Sequence, residues 1–276
     1  MTPLITANQL EEILNSGENV LLCDCRFDLV DPLAGKKSYL EGHIPGALYV
    51  DLDHDLSGEK TGKNGRHPLP TPEAWAQTKS RLGIDSNTLV VAYDNQGSVY
   101  ASRLWWMLKA TGHANVQILD GGLDAWNGPI GTMPREAKPT TTPVPAMPYV
   151  GLVTVEEVVH NLQAKLNVIV DARANDRFHG QNETLDPVGG HIPNAINYCF
   201  RENLSRKSFK APEQLFKDFV GLLGSTKASE VIHQCGSGVT ACHNLLAMEI
   251  AGLKGSRLYA GSWSEWCADP SRPVAL

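Results

Sequence analysis

Cys235 ends an apolar, β-branched run, Val231-Ile232-His233-Gln234, and opens the stretch Cys-Gly-Ser-Gly-Val-Thr-Ala. Gly236 and Gly238 let the backbone curl tightly and turn several N–H groups inward. A helical pattern follows, carried by Val239, Cys242, Leu245, Leu246 and Ile250. The N-terminus of that helix adds partial positive charge. Residues Gly236, Gly238, Val239 and Thr240 thus form a cradle of donors for an anion. The anion at its centre is the Cys235 thiolate, a nucleophile that can carry a transferred group covalently.

Cysteine loops of this shape suit two chemistries. A cysteine phosphatase needs Cys-x5-Arg, the arginine clamping phosphate. Six positions after Cys235 stands Ala241, which argues against phosphate-ester hydrolysis. A tighter loop suits an enlarged nucleophile such as a persulfide. Metal binding finds no support, since no Cys/His set has zinc-site spacing and no CxxC occurs. Cys23, Cys25, Cys199, Cys242 and Cys267 are read as small buried hydrophobes.

The elements that must present Cys235 come from a duplication. Leu22-Cys23-Asp24-Cys25-Arg26 precedes Gly42-His43-Ile44-Pro45-Gly46-Ala47. In the second half, Ile169-Val170-Asp171-Ala172-Arg173 precedes Gly190-His191-Ile192-Pro193-Asn194-Ala195. Leu89–Asp94 then matches Val231–Cys235, and Leu119–Trp126 matches Tyr259–Trp266. Four matches in one order indicate two copies of one domain. We read residues 1–128 as the first copy, 129–148 as a Pro/Thr-rich extended linker and 149–276 as the second copy.

Helical patterns, such as Leu10, Ile13 and Leu14 after the cap candidate Asn8, alternate with short apolar strands. This predicts an α/β fold in each copy, a parallel sheet with helices on both faces. Ligands of such sheets bind beyond the carboxyl ends of strands. Cys235 and its equivalent in the first copy, Asp94, both lie at such an end. One copy is then active, and the other is degenerate and serves as a wall.

The composition fits a globular chain of this kind. The 276 residues are 42% hydrophobic and 20% charged, with a net charge of −6. A mildly acidic chain argues against nucleic acid as partner. No apolar run approaches a membrane span, and MTPLITANQLEEILN shows no export signal. The expected compartment is the reducing cytoplasm.

On the Asp-x-Arg and Gly-His-Ile-Pro-x-Ala signatures of both halves and their matching tails, the chain resembles the tandem-domain rhodanese-family sulfurtransferases. Its loop CGSGVTA is most similar to those of the 3-mercaptopyruvate enzymes, whereas thiosulfate enzymes usually carry basic residues there. The resemblance implies a ping-pong reaction without metal or organic cofactor. A donor gives its sulfane sulfur to Cys235, and cyanide, a small thiol or thioredoxin removes it. It also implies that Ser237 activates the donor thiol with a histidine and an aspartate, here assigned to His43 and Asp31. Arg177 matches an arginine that holds the donor carboxylate. A second such arginine is expected nine residues on, where this chain has Asp186; Arg66 is a candidate replacement.

The uncharged loop independently favours a monoanionic donor, since a dianion such as thiosulfate gains more from cationic loop residues. Thiosulfate with the same persulfide step is the alternative donor. A non-catalytic sulfur carrier or partner-binding module is the rival class. Arg26 and Arg173 recur in both copies and are read as structural. Trp105, Trp106, Trp126, Trp263 and Trp266 are read as packing residues whose indole N–H groups anchor loops.

Overall fold

The computed structural model describes residues 2–276. The chain forms two compact units. The first comprises Met1–Gly58, Pro70–Val150 and Arg206–Phe209; the second comprises Glu59–Leu69, Gly151–Ser205 and Lys210–Leu276. The short segment 59–69 therefore packs with the second unit although it lies in the first half of the sequence. Among the described residues no helix is long and apolar enough to cross a membrane.

In the first unit, β1 (Leu4–Ile5), α1 (Ala7–Ser16), β2 (Val20–Asp24), α2 (Ala34–Glu41), β3 (Leu48–Tyr49), α3 (Pro72–Leu82), β4 (Leu89–Tyr93), α4 (Ala101–Ala110) and β5 (Val116–Leu119) follow one another. The strands form a parallel sheet in the order β1-β5-β4-β2-β3. The second copy runs β6 (Leu152–Val153), α5 (Val155–Ala164), β7 (Val168–Asp171), α6 (Asn175–Phe178), β8 (Ile196–Asn197) and β9 (Leu204–Ser205). After β10 (Ser208–Phe209) come α7 (Pro212–Leu223), β11 (Val231–Gln234), α8 (Thr240–Ile250), β12 (Arg257–Tyr259) and α9 (Ser262–Trp266). Its parallel sheet runs β6-β12-β11-β7-β8, the same topology as the first. Central strands such as Val20-Leu21-Leu22-Cys23-Asp24 are apolar on both faces because helices cover both.

The repetition extends to details no motif advertised. Thr6 accepts a hydrogen bond from the Gln9 N–H at 3.3 Å, and the Gln9 side chain accepts one from the Thr6 N–H at 3.0 Å. Thr154 and Glu157 repeat this at the start of α5, at 3.3 and 2.8 Å. These reciprocal caps satisfy N–H groups that the first helical turn leaves open. The cap of α1 is therefore Thr6 and not Asn8, which lies inside the helix. Leu10, Leu22, Ile44, Val91 and Leu119 share one core, and Val158, Ile169, Ile192, Ile232 and Trp263 share the other.

Each Asp-x-Arg motif forms a buried ion pair at its strand end. Arg26 grips Asp24 at 2.6 Å and donates to the Gly42 carbonyl at 2.7 Å. Arg173 grips Asp171 at 2.6 Å and donates to the Gly190 carbonyl at 2.8 Å. The pair thus ties strand to Gly-His-Ile-Pro turn, and losing one partner would strand a buried charge. Indole N–H groups of Trp126, Trp263 and Trp266 donate to the carbonyls of Pro129, Val188 and Pro273. The linker carries no helix or strand and is held to the first unit, for example by Thr140 N–H on the Ser80 carbonyl at 2.9 Å.

His233 on β11 is fully buried, and burial pushes its imidazole from the ordinary 6.5 down to about 3. The folded chain keeps it neutral while the unfolded chain protonates it below pH 6.5, so stability is present above that pH and is lost as pH falls. We expect His233→Leu to flatten the decline of unfolding free energy between pH 6.5 and 4 by roughly 1 kcal/mol per pH unit, read by denaturant unfolding. An unchanged slope would contradict this.

Candidate active site

The two copies carry equivalent loops after β4 and β11. In the first, the Asp94 carboxylate accepts hydrogen bonds from the N–H groups of Gln96, Ser98, Tyr100 and Ala101 at 2.9, 2.8, 2.9 and 3.1 Å. That loop is an anion cradle filled by its own side chain. In the second, the Gly238 N–H donates to Cys235 Sγ at 3.1 Å. The frames match: Leu123 N–H donates to the Asp94 carbonyl at 2.8 Å, and Trp263 N–H to the Cys235 carbonyl at 2.9 Å. The Ser102 hydroxyl donates to the Ser98 carbonyl at 2.5 Å, and the Cys242 thiol to the Gly238 carbonyl at 3.3 Å.

Further bonds lock the Cys235 loop. Ser262 Oγ accepts from the Cys235 N–H at 3.0 Å, and Ser264 N–H donates to the Gly236 carbonyl at 2.9 Å. Gly238 has φ +76°, and a Cβ there would lie 2.2 Å from the Ala260 carbonyl oxygen. Only glycine fits both demands. Val239 is buried at the entry to α8, and Thr240 is its first residue.

Segment 59–69 adds two side chains. His67 Nδ1 lies 2.8 Å from Ser237 Oγ, and both residues are buried. The Arg66 N–H donates to Ser264 Oγ at 3.0 Å, and its guanidinium pairs with Asp186. Arg177 holds Glu183 through Nε and Nη2 at 2.9–3.0 Å. A Cβ on Gly236 would lie 2.7 Å from Arg66 Nη2 and 3.6 Å from Arg177 Nη2. Two guanidiniums and one Ser–His pair therefore border the residues that follow Cys235. Although burial opposes it, the N–H of Leu185 and the Arg177 guanidinium hold Glu183 below the usual carboxylate range.

A family model described as "Rhodanese-like domain" matches residues 6–129 and again 154–269. The chain belongs to the rhodanese family. It is 44% identical to a Pseudomonas aeruginosa protein named for 3-mercaptopyruvate sulfurtransferase activity, over 99% of this chain and 97% of that one. It is 33% identical to the thiosulfate sulfurtransferase of Mus musculus, over 95% of this chain and 91% of that one. The crystal structure of SseA from Escherichia coli, with the rhodanese fold, superposes with a TM-score of 0.81 at 30% identity, covering 95% of this chain and 99% of that one. Like these relatives, the chain is a sulfurtransferase.

Within this rhodanese frame the expected residues fall into two groups. Cys235, Gly236, Ser237, Gly238, Val239, Thr240, Arg177 and Arg66 all belong to the second unit and gather at one loop. His43 and Asp31 belong to the first. The His43 ring, expected to serve Ser237, instead sets Nδ1 2.6 Å from the Tyr39 carbonyl and Nε2 3.1 Å from the Met133 carbonyl. His191 repeats the arrangement, with Nδ1 2.9 Å from the Phe178 carbonyl and its ring stacked on Phe178 as His43 stacks on Tyr39. Both copies share this packing of the ring on an aromatic residue and a carbonyl. Asp31 is exposed and accepts from the Leu33 N–H at 3.1 Å, shaping the turn into α2. The histidine that meets Ser237 is His67, which motif matching passed over.

Four of the remaining thiols of this rhodanese are poor nucleophiles. Burial pushes Cys23 up to about 12 and Cys267 up to about 11, and raises Cys25 and Cys199. Such thiols stay protonated at neutral pH.

Proposed function

We propose that the chain transfers sulfane sulfur from 3-mercaptopyruvate, through a persulfide on Cys235, to a thiol acceptor such as thioredoxin or a small thiol, or to cyanide. The observation that carries the reading is the pair of matched loops. Asp94 shows that this loop shape seats acceptor atoms two bonds beyond Cβ on four N–H groups, which favour a charge there although burial raises the Asp94 carboxyl. A cysteine persulfide places its charged outer sulfur at that same remove, Cβ–Sγ–S. Donors equivalent to those on Asp94, from Gly238, Thr240 and Ala241, are available to it.

In the first half-reaction the Cys235 thiolate attacks the donor sulfur. The S–S bond forms, the donor C–S bond breaks, and its electron pair leaves as the enolate of pyruvate, which takes up a proton. Ser237, backed by His67 and not His43, handles the donor thiol proton; the two side chains are already within hydrogen-bond reach. Arg177 and Arg66 hold the donor carboxylate. In the second half-reaction the acceptor thiolate attacks the outer sulfur and releases Cys235. The cytoplasm, where reduced thiols are plentiful, suits both the acceptor and a chain with six cysteines and no disulfide among the described residues.

The uncharged loop favours a monoanionic donor over thiosulfate. The test is kcat/KM with 3-mercaptopyruvate and with thiosulfate, using one thiol acceptor. We expect the mercaptopyruvate value to exceed the thiosulfate value by about tenfold or more, the worth of one charge-assisted hydrogen bond. A preference for thiosulfate would overturn the donor assignment.

A further inference from the structure

Asp186 stands where the family resemblance leads one to expect a cation, yet the mouth of the site holds two guanidiniums. The carboxylate itself explains this. One Asp186 oxygen pairs with Arg66 Nη1, and the other lies 3.5 Å from Arg177 Nη2. The Asp186 side chain is 2% exposed, while Arg66 and Arg177 stay partly open to solvent at 27% and 21%. The turn that carries it is fixed by Glu183, whose Oε1 accepts from the N–H groups of Leu185 and Asp186 at 2.9 and 3.1 Å.

We propose that Asp186 is the positioning residue of the donor site, a bridge that seats Arg66 beside Arg177 over Gly236. The proposal rests on the reading of this site as the receptor of a carboxylate-bearing sulfur donor. Two guanidiniums left unbridged would repel one another. Bridged, they turn unused donors in one direction. Arg66 Nη2 and Arg177 Nη1 donate to no protein group among the described residues, and they lie 2.7 and 3.8 Å from the point where a Gly236 Cβ would stand. One carboxylate can take a hydrogen bond from each, as in two-armed arginine recognition.

The bridge also sets the charge of the mouth. Arg66 and Arg177 are matched by Glu183 and Asp186, so the receptor offers directed donors without surplus positive charge. Geometry then selects a planar monocarboxylate, and a compact dianion gains little. Because Arg66 precedes His67, the donor's carboxylate and the Ser237 partner are held by one short segment.

The test is steady-state kinetics with both donors on Asp186→Asn, Asp186→Glu, Gly236→Ala and the exchange Arg66→Asp/Asp186→Arg. For Asp186→Asn we expect KM for 3-mercaptopyruvate to rise about tenfold with kcat within about twofold, because Cys235, Ser237 and His67 are untouched. The mercaptopyruvate-to-thiosulfate ratio should fall with it, since the variant leaves one surplus positive charge. Asp186→Glu should recover part of the loss, and the exchange, which returns an arginine to position 186, should bring KM to within about threefold of wild type. Gly236→Ala, whose methyl meets the movable Arg66 guanidinium, should raise KM alike without touching Asp186. A KM for Asp186→Asn within about twofold of wild type, in an enzyme that turns over mercaptopyruvate, would overturn the bridge. Wild-type enzyme that turns over neither donor would overturn the donor reading itself.

Discussion

Cys235→Ser is expected to lower sulfur transfer from every donor by about a thousandfold or more. A hydroxyl in the same loop is still able to accept the Gly238 N–H, which now lies 3.1 Å from Sγ, so the fold should survive. What disappears is a polarizable anion able to attack sulfur and carry it. The other thiols are poorly placed to substitute, since Cys242 is tied to the Gly238 carbonyl. Cys23 and Cys267 are held near 12 and 11 by burial, and neither lies on the loop after β11. The measurement is acceptor-coupled turnover with mercaptopyruvate and with thiosulfate, beside a thermal melt. Retention of more than about a tenth of the wild-type rate would contradict the assignment of Cys235.

Gly238→Ala should be the most damaging single methyl in the second unit. The position has φ +76°, and the added carbon would meet the Ala260 oxygen at 2.2 Å, its carbonyl carbon at 2.9 Å and its Cα at 3.0 Å. All three are backbone atoms of the turn after β12, so neither side can give way cheaply. Left-handed strain and the clash together are expected to cost ~3 kcal/mol of stability. Activity should fall by about a hundredfold as the Gly238 N–H leaves Sγ. Gly236→Ala is the contrast, since its methyl meets the ends of the Arg66 and Arg177 side chains rather than backbone. Denaturant unfolding and turnover of the two variants separate these cases. Equal effects would show that the loop is held by something other than its backbone contacts.

The duplication was legible because Asp-x-Arg, Gly-His-Ile-Pro and the tail signatures recur in the same order, and the two sheets duly share one topology. The same repetition misled the choice of histidine. His43 and His191 recur because both copies need that ring packed on an aromatic residue and tied to a carbonyl. In a duplicated chain, groups that only one copy carries are the candidates for chemistry. Cys235 and Ser237 were candidates on that ground, against Asp94 and Gln96. Arg66 and His67 are candidates on the same ground, for no Gly-Arg-His occurs in the second half. They were harder to place because segment 59–69 packs with a unit far along the chain, a long-range pairing that no local periodicity encodes. Asp186 was legible only as a missing cation. Its role as a bridge depends on a residue 120 positions away.

The most direct test of the central claim is the intact mass of the protein after one equivalent of 3-mercaptopyruvate is added without acceptor, followed by mapping of the modified peptide. The account predicts a gain of one sulfur atom, carried by the peptide that contains Cys235, released by added thiol and matched by an equal yield of pyruvate. Sulfur on any other cysteine, or pyruvate formed with no gain in mass, would contradict it.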